Sequence, residues 1–176
     1  MLISSSVAFA GPGYVGVNAG STTHTISFDG ESGSEKTTGA RVYGGYQVNP
    51  SFGIEAGYVN FGKVTATDEG LTVTFKPTAI YAAATGTMPM SPSFNLIGKL
   101  GVARAKSTFG LAYQGDRASA DNKDTGVMYG IGAEYKFSDT MTIVAEYEDF
   151  GKIAKFDEVG INIKASMASV GLRIKF

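Results

Sequence analysis

The chain has 176 residues, a formal net charge of −1, 24 glycines, 11% aromatic residues, and neither cysteine nor tryptophan. That length suits one ordinary domain. The charge balance leaves no basic footprint for nucleic acid, and the lack of cysteine excludes disulfides, thiolate catalysis and cysteine-based metal sites.

The first ten residues, MLISSSVAFA, close on Ala8-Phe9-Ala10, a small-x-small cleavage pattern. Residues 1–10 are therefore expected to be a truncated signal-peptide remnant, with 11–176 a β-barrel domain that leaves the cytoplasm. Gly11-Pro12-Gly13 reads as a turn entering the first strand. Strand-like runs then recur at Gly13 to Ser21, Gly39 to Val48, Phe52 to Phe61, Thr78 to Met88, Phe94 to Ala105, Gly126 to Phe137 and Met141 to Phe150. The eighth, Ser166 to Phe176, alternates apolar or small with polar or small residues to the last position, the period of a strand whose two faces meet different surroundings.

The connections alternate in length. Asn49-Pro50-Ser51, Met90-Ser91-Pro92-Ser93 and Ser138-Asp139-Thr140 are tight and hold turn formers. Between them lie long polar segments, Thr22 to Thr38, Gly62 to Pro77, Lys106 to Thr125 and Gly151 to Asn162, expected as loops. The chain has no apolar run of ~18 residues and so no spanning helix. Eight strands with short turns on one side and long loops on the other instead predict an all-β, eight-stranded antiparallel up-and-down transmembrane barrel with periplasmic turns and extracellular loops.

Alternation sorts the charges. One parity collects Val15, Val17, Val42, Ile54, Ile80, Leu100, Val102, Ile131, Ile143 and Leu172, with Arg104 near the loop end. The other collects Arg41, Glu55, Lys99, Glu134, Lys136, Glu146, Glu148, Arg173 and Lys175. An eight-stranded barrel is filled by side chains, so these nearly balanced charges must pair inside it. A soluble ligand-carrying barrel would show the reverse pattern, apolar inside and polar outside. Tyr46, Phe52, Phe94, Phe137 and Phe176 fall at strand ends beside the short turns or the terminus, as one interfacial aromatic girdle. Tyr58 and Tyr129 are assigned to the other ring.

Across the second and third runs the sequence reads GARVYGGYQVNPSFGIEAGY. This resembles a hairpin in the transmembrane domain of the outer membrane protein A family. A weaker likeness continues through Gly98 to Gly101, Asp124 to Val127, Gly132 to Tyr135 and the closing strand. The resemblance implies a polar lumen that plugs a narrow channel, with Glu55 and Glu134 as inward glutamates and Lys99 as an inward base. The family's lysine at the end of strand four is Thr85 here, and its arginine on strand seven is Val144, so Arg173 and Arg41 are expected to supply the positive charge. A chain ending at Phe176 looks like a barrel-only member. Its terminal aromatic resembles the signal read by the outer-membrane assembly machinery.

The expected interior ion-pair network is thus Glu55, Lys99, Glu134, Glu146, Arg173 and Arg41. The expected role is a structural or surface-interaction barrel in the outer membrane of a Gram-negative bacterium, at most a narrow pore and not an enzyme. Expected partners are outer-membrane lipid, lipopolysaccharide and the assembly machinery, with no nucleic acid, no cofactor, no metal and a monomeric state. The alternatives are a lipid-modifying enzyme using His24 with Ser21, Ser27, Asp29 or Glu31, and a soluble carrier. Asp116, Asp121, Asn122 and Asp124 lack an EF-hand spacing and read as solvated loop charge. Glycines in GVMYGIG, Gly126 to Gly132, read as relief of crowding in the lumen and not as a phosphate loop. The folded chain should migrate faster on a detergent gel without boiling than after boiling; identical migration would contradict a detergent-resistant barrel.

Overall fold

The computed structural model describes residues 13–28, 31–68, 71–113, 116–156 and 161–176. The expected signal remnant, Gly11-Pro12 and Asp29 lie outside them. The described residues form nine strands: β1 (Gly13–Phe28), β2 (Glu31–Gln47), β3 (Phe52–Asn60), β4 (Val64–Asp68), β5 (Leu71–Pro89), β6 (Phe94–Tyr113), β7 (Asp116–Lys136), β8 (Met141–Phe156) and β9 (Ile161–Lys175). β3 and β4 pair in succession with β5, so together they form one stave. All ladders are antiparallel, and the β1–β9 and β3–β5 pairings close eight staves into a barrel. Residues of opposite parity on every strand therefore face lipid or lumen.

The short turns are fixed by their own side chains. Asn49 Oδ1 accepts the amides of Ser51 and Phe52, both at 2.9 Å. Ser91 Oγ accepts the Phe94 amide at 3.1 Å, and Ser138 Oγ that of Met141 at 3.0 Å. These Asx- and Ser-type turns satisfy backbone donors that no ladder reaches.

The long polar connections are mostly paired strand. β1 and β2 stay in register from Gly13↔Tyr46 to Phe28↔Glu31, and β6 and β7 from Phe94↔Tyr135 to Tyr113↔Asp116. Apolar alternation marks strands in the sequence, and that signal fades where the inward residues are polar, as at Thr22 and His24, or where both faces are exposed, as at residues 32–36. Threonine-rich segments such as Ser21 to Thr25 keep the β-branched preference for extended backbone without it.

Above the membrane band the ring divides. β2 pairs with β3 only up to Ala40↔Asn60, and β7 with β8 only up to Tyr129↔Asp149. The crown consists of two four-stranded sheets, β2-β1-β9-β8 and β4-β5-β6-β7, separated by two seams. Each seam starts at a one-residue bulge with a glycine at positive φ, Gly62 at 85° and Gly151 at 66°. From Asn60↔Thr78 to Val64↔Phe75 the third stave advances four residues against three. From Asp149↔Ser166 to Lys152↔Lys164 β8 advances three against two. The extra residue reverses which parity faces outward, lastingly on the third stave and only as far as Lys152 on β8, where a second shift before Ala154 restores it.

The outward apolar positions are exposed, among them Val17, Ile54, Leu100, Val102 and Ile131, the last at 71%. The girdle residues Tyr46, Phe52, Phe94, Phe137 and Phe176 are all exposed beside the turn-side end, and Tyr58, Tyr129 and Tyr147 at the other edge of the belt. Such a surface is stable only against hydrocarbon. Ile131→Arg, in the middle of this belt, should cost ~2–4 kcal/mol, and Thr125→Arg, at its upper rim, only ~0–1 kcal/mol. Urea unfolding in lipid vesicles measures both; equal costs would overturn the facing and depth assigned to β7.

Candidate functional site: the charged lumen and the phenylalanine pair above it

Alternation sends Arg41, Glu55, Lys99, Glu134, Glu146, Glu148 and Arg173 into the lumen, where all seven are buried. Arg41 on β2 crosses to β8 and donates to Glu146 and Glu148. Lys99 on β6 reaches Glu146 at 2.5 Å, Glu55 at 2.6 Å and Glu148 at 3.4 Å. Arg173 on β9 donates to Glu134 on β7, with Glu55 3.5 Å from its other terminal nitrogen. Seven charged side chains from six staves thus form a continuous lattice, held by charge-assisted hydrogen bonds in a poorly screened interior. Lys136 and Lys175 sit at the turn-side mouth with Thr142 between them.

Thr85 and Val144, where the family resemblance would place a lysine and an arginine, are both buried. The two β8 carboxylates next to Val144 are instead met by Arg41 from across the lumen.

Neutral donors complete the lattice, and the sequence reading passed over them. Tyr14 and Tyr81 donate to the two oxygens of Glu55 at 3.0 and 2.7 Å. Asn18 donates to Glu146 at 3.2 Å and Asn95 to Glu134 at 3.1 Å. The Tyr43 ring lies 4.4 Å from the Arg41 guanidinium carbon, 5.2 Å from Lys99 Nζ and 5.4 Å from the Arg173 guanidinium carbon, so three cations share one π-face environment. Their signal was parity combined with glycine on the neighbouring strand. A Cβ on Gly16 would collide with the Tyr43 ring, and one on Gly132 with Glu146 Cγ at 2.7 Å.

A second layer, largely apolar, lies on the crown side. Phe61, Phe150, Met128, Ile153 and Met167 are fully buried there. The Phe61 and Phe150 rings meet edge to face with centroids 5.0 Å apart, a favoured aromatic geometry. Their staves are diametrically opposed, since three staves separate β3 from β8 on either side. The two segments are a sequence repeat, Tyr58-Val59-Asn60-Phe61-Gly62-Lys63 and Tyr147-Glu148-Asp149-Phe150-Gly151-Lys152. In each, the Asx side chain accepts the amide of the positive-φ glycine, Asn60 with Gly62 at 2.9 Å and Asp149 with Gly151 at 2.7 Å. The shared Tyr-x-Asx-Phe-Gly-Lys spelling was the available sign of this layer.

His24 belongs to the same layer. It lies on β1 and not in a loop, facing inward against Phe61 and Phe75. Its Nε2 lies 3.1 Å from Thr37 Oγ1 and 3.3 Å from the Phe61 carbonyl. At this height in the crown, burial pushes the imidazole below its ordinary range and favours the neutral form. Ser21 is exposed on the opposite face of β1, and Ser27, of the same parity as Ser21, lies beside Ser32. β1 therefore sends the imidazole and the two hydroxyls to different sides.

A closed ring of eight staves, greasy outside and charged within, defines an integral β-barrel of the outer membrane. The chain belongs to the OmpA-like transmembrane domain family, which matches residues 10–176. Outer membrane protein A of Klebsiella aerogenes is 28% identical over 147 residues, covering 81% of this chain and 40% of that protein. The Shigella flexneri protein of the same name is 26% identical over 175 residues, covering 93% and 48%. The chain thus spans about half the length of the relatives it matches. In structure it is similar to Neisserial surface protein A (TM-score 0.65, 20% identity, 93% of this chain and 97% of that one). It is also similar to Ail of Yersinia pestis (TM-score 0.61, 20% identity, 93% and 99%). The protein resides in the outer membrane of a Gram-negative bacterium.

Stranding one member of the lattice should be costly. Arg173→Met leaves Glu134 without its cation, while Glu55 keeps Lys99, and should destabilise the barrel by ~3–5 kcal/mol. Adding Glu134→Gln should recover more than half of that in the same urea titration. No recovery would mean that the arginine acts through packing alone.

Proposed function

We propose that this barrel is a closed structural and surface-presenting element of the outer membrane, not a channel for solutes and not an enzyme. One observation carries the reading: a solute moving along the axis meets two layers of different chemistry, each spanning the bore. The charged lattice ties β2, β3, β6, β7, β8 and β9 to one another. The Phe61–Phe150 contact joins opposite walls above it, the kind of apolar constriction that sheds water. Eight-stranded barrels leave an interior just wide enough for side chains to fill, whereas general porins use ~16–18 strands.

The geometry around His24 supports a non-catalytic reading. Its Nε2 lies beside the Thr37 hydroxyl, but that hydroxyl donates to the Phe61 carbonyl, and Nδ1 has no partner among the described residues to orient the ring as a catalytic base requires. The ring of staves closes in the membrane band without a free ladder edge, which supports a monomer. Function would then reside in the crown surface.

In planar bilayers the wild-type barrel should show no steps of general-porin size. Phe61→Ala with Phe150→Ala should raise the frequency of small openings while leaving gel migration unchanged. Large, steady wild-type steps would refute the closed reading.

A further inference from the structure

The outward face of β5, β6 and β7 changes character abruptly at the top of the apolar belt. Ile80, Val102 and Val127 are exposed to lipid. Directly beside Ile80, and two residues beyond Val102, stands Arg104, opposite Thr125. The next outward row holds Lys106 directly across from Lys123, and the row above begins with Lys76 opposite Thr108. All four cations are exposed.

Like charges facing each other across a ladder are unfavourable, and here only Lys106 has a carboxylate. Asp121 holds it at 2.9 Å and also accepts from Thr108 at 2.8 Å. Lys76, Arg104 and Lys123 form no ion pair among the described residues, although Asp121 also attracts Lys123 at longer range. Two residues of strand cover ~6–7 Å, so the rows lie within one headgroup thickness of the hydrocarbon edge. Long cationic side chains rooted there place their charge in the headgroup layer. Arginine's forked donors match a phosphate bidentately.

We infer that this face binds the phosphate groups of an outer-leaflet lipid headgroup, with Arg104, Lys123 and Lys76 as the phosphate ligands and Asp121 keeping Lys106 extended beside them. The inference rests on the outer-membrane placement of the barrel and is independent of whether its lumen conducts.

The test uses the full chain folded in detergent and titrated with diphosphoryl lipid A, read by native mass spectrometry. Arg104→Gln with Lys123→Gln should weaken binding by about fivefold or more, and added salt should weaken the wild type. A control of equal charge loss on the far staves, Lys36→Gln with Lys164→Gln, should change it by less than about twofold. Unboiled gel migration verifies that every variant is folded. Equal loss in both variants would reduce the effect to general attraction by net charge and overturn the site. Binding of inorganic phosphate without binding of lipid A would overturn the lipid assignment. Porin-size conductance with the lipid result intact would sink only the closed-lumen reading.

Discussion

A charge cannot face hydrocarbon, and in a closed ring of strands it then has one other place to go. That constraint, acting through a side-chain period of two, organises this molecule. It sends Arg41, Glu55, Lys99, Glu134, Glu146, Glu148 and Arg173 to the centre, and their burial then forces them into mutual contact. A buried ion pair is not by itself a strong stabiliser, because desolvation opposes the attraction. What the lattice does provide is connection between staves that share no ladder. Arg41 joins β2 to β8 and Lys99 joins β6 to β3 and β8, so slipping any of these staves by one residue would turn its charges toward lipid.

The lumen carries two layers because the constraint acts only as high as the membrane does. Within the belt, hydrocarbon outside leaves the interior to polar groups. In the crown, water is the outer solvent, and the inside becomes an ordinary apolar core of Phe61, Phe150, Met128, Ile153 and Met167. The molecule is inside-out in its lower part and conventional in its upper part.

The facing of each stave was legible in the sequence because both sides of the alternation are strongly marked in the belt. So were the tight turns, whose Asn and Ser side chains announce themselves, and the identities of the inward charges. The crown strands were not legible: Ser, Thr, His and charged residues supply much of both faces, even where they are buried as at Thr22, His24 and Ser107, and so carry no apolar alternation. Partner choice inside the lumen was also hidden, since which cation meets which carboxylate depends on distances across the bore. Arg41 pairs with Glu146 and Glu148, more than a hundred residues away. Tyr14, Tyr43 and Tyr81 were overlooked because a tyrosine is equally at home in an interfacial girdle, and only the glycines facing them separate the two uses. The phenylalanine layer was spelled out by a hexapeptide repeat whose meaning depends on the two segments lying on opposite walls.

The bulges at Gly62 and Gly151 have a consequence for how such a chain can change. The first inserts one residue and shifts the phase of the whole of β4, whereas the second shifts β8 only as far as Lys152, because a further shift between Lys152 and Ala154 returns that strand to its starting phase. Below Gly151 the odd positions of β8 meet lipid; just above it the even Lys152 faces out, which is why it stands opposite Lys164 on the surface, and the second shift then pairs Ala154 with buried Ile163. On the third stave, belt and crown are therefore written in different reading phases of the same two-residue code. A single-residue insertion or deletion at either bulge would re-present a whole crown strand, exchanging its hidden face for its displayed one. Surface chemistry can then turn over in one step, while the belt below, upstream of the shift, keeps its grammar.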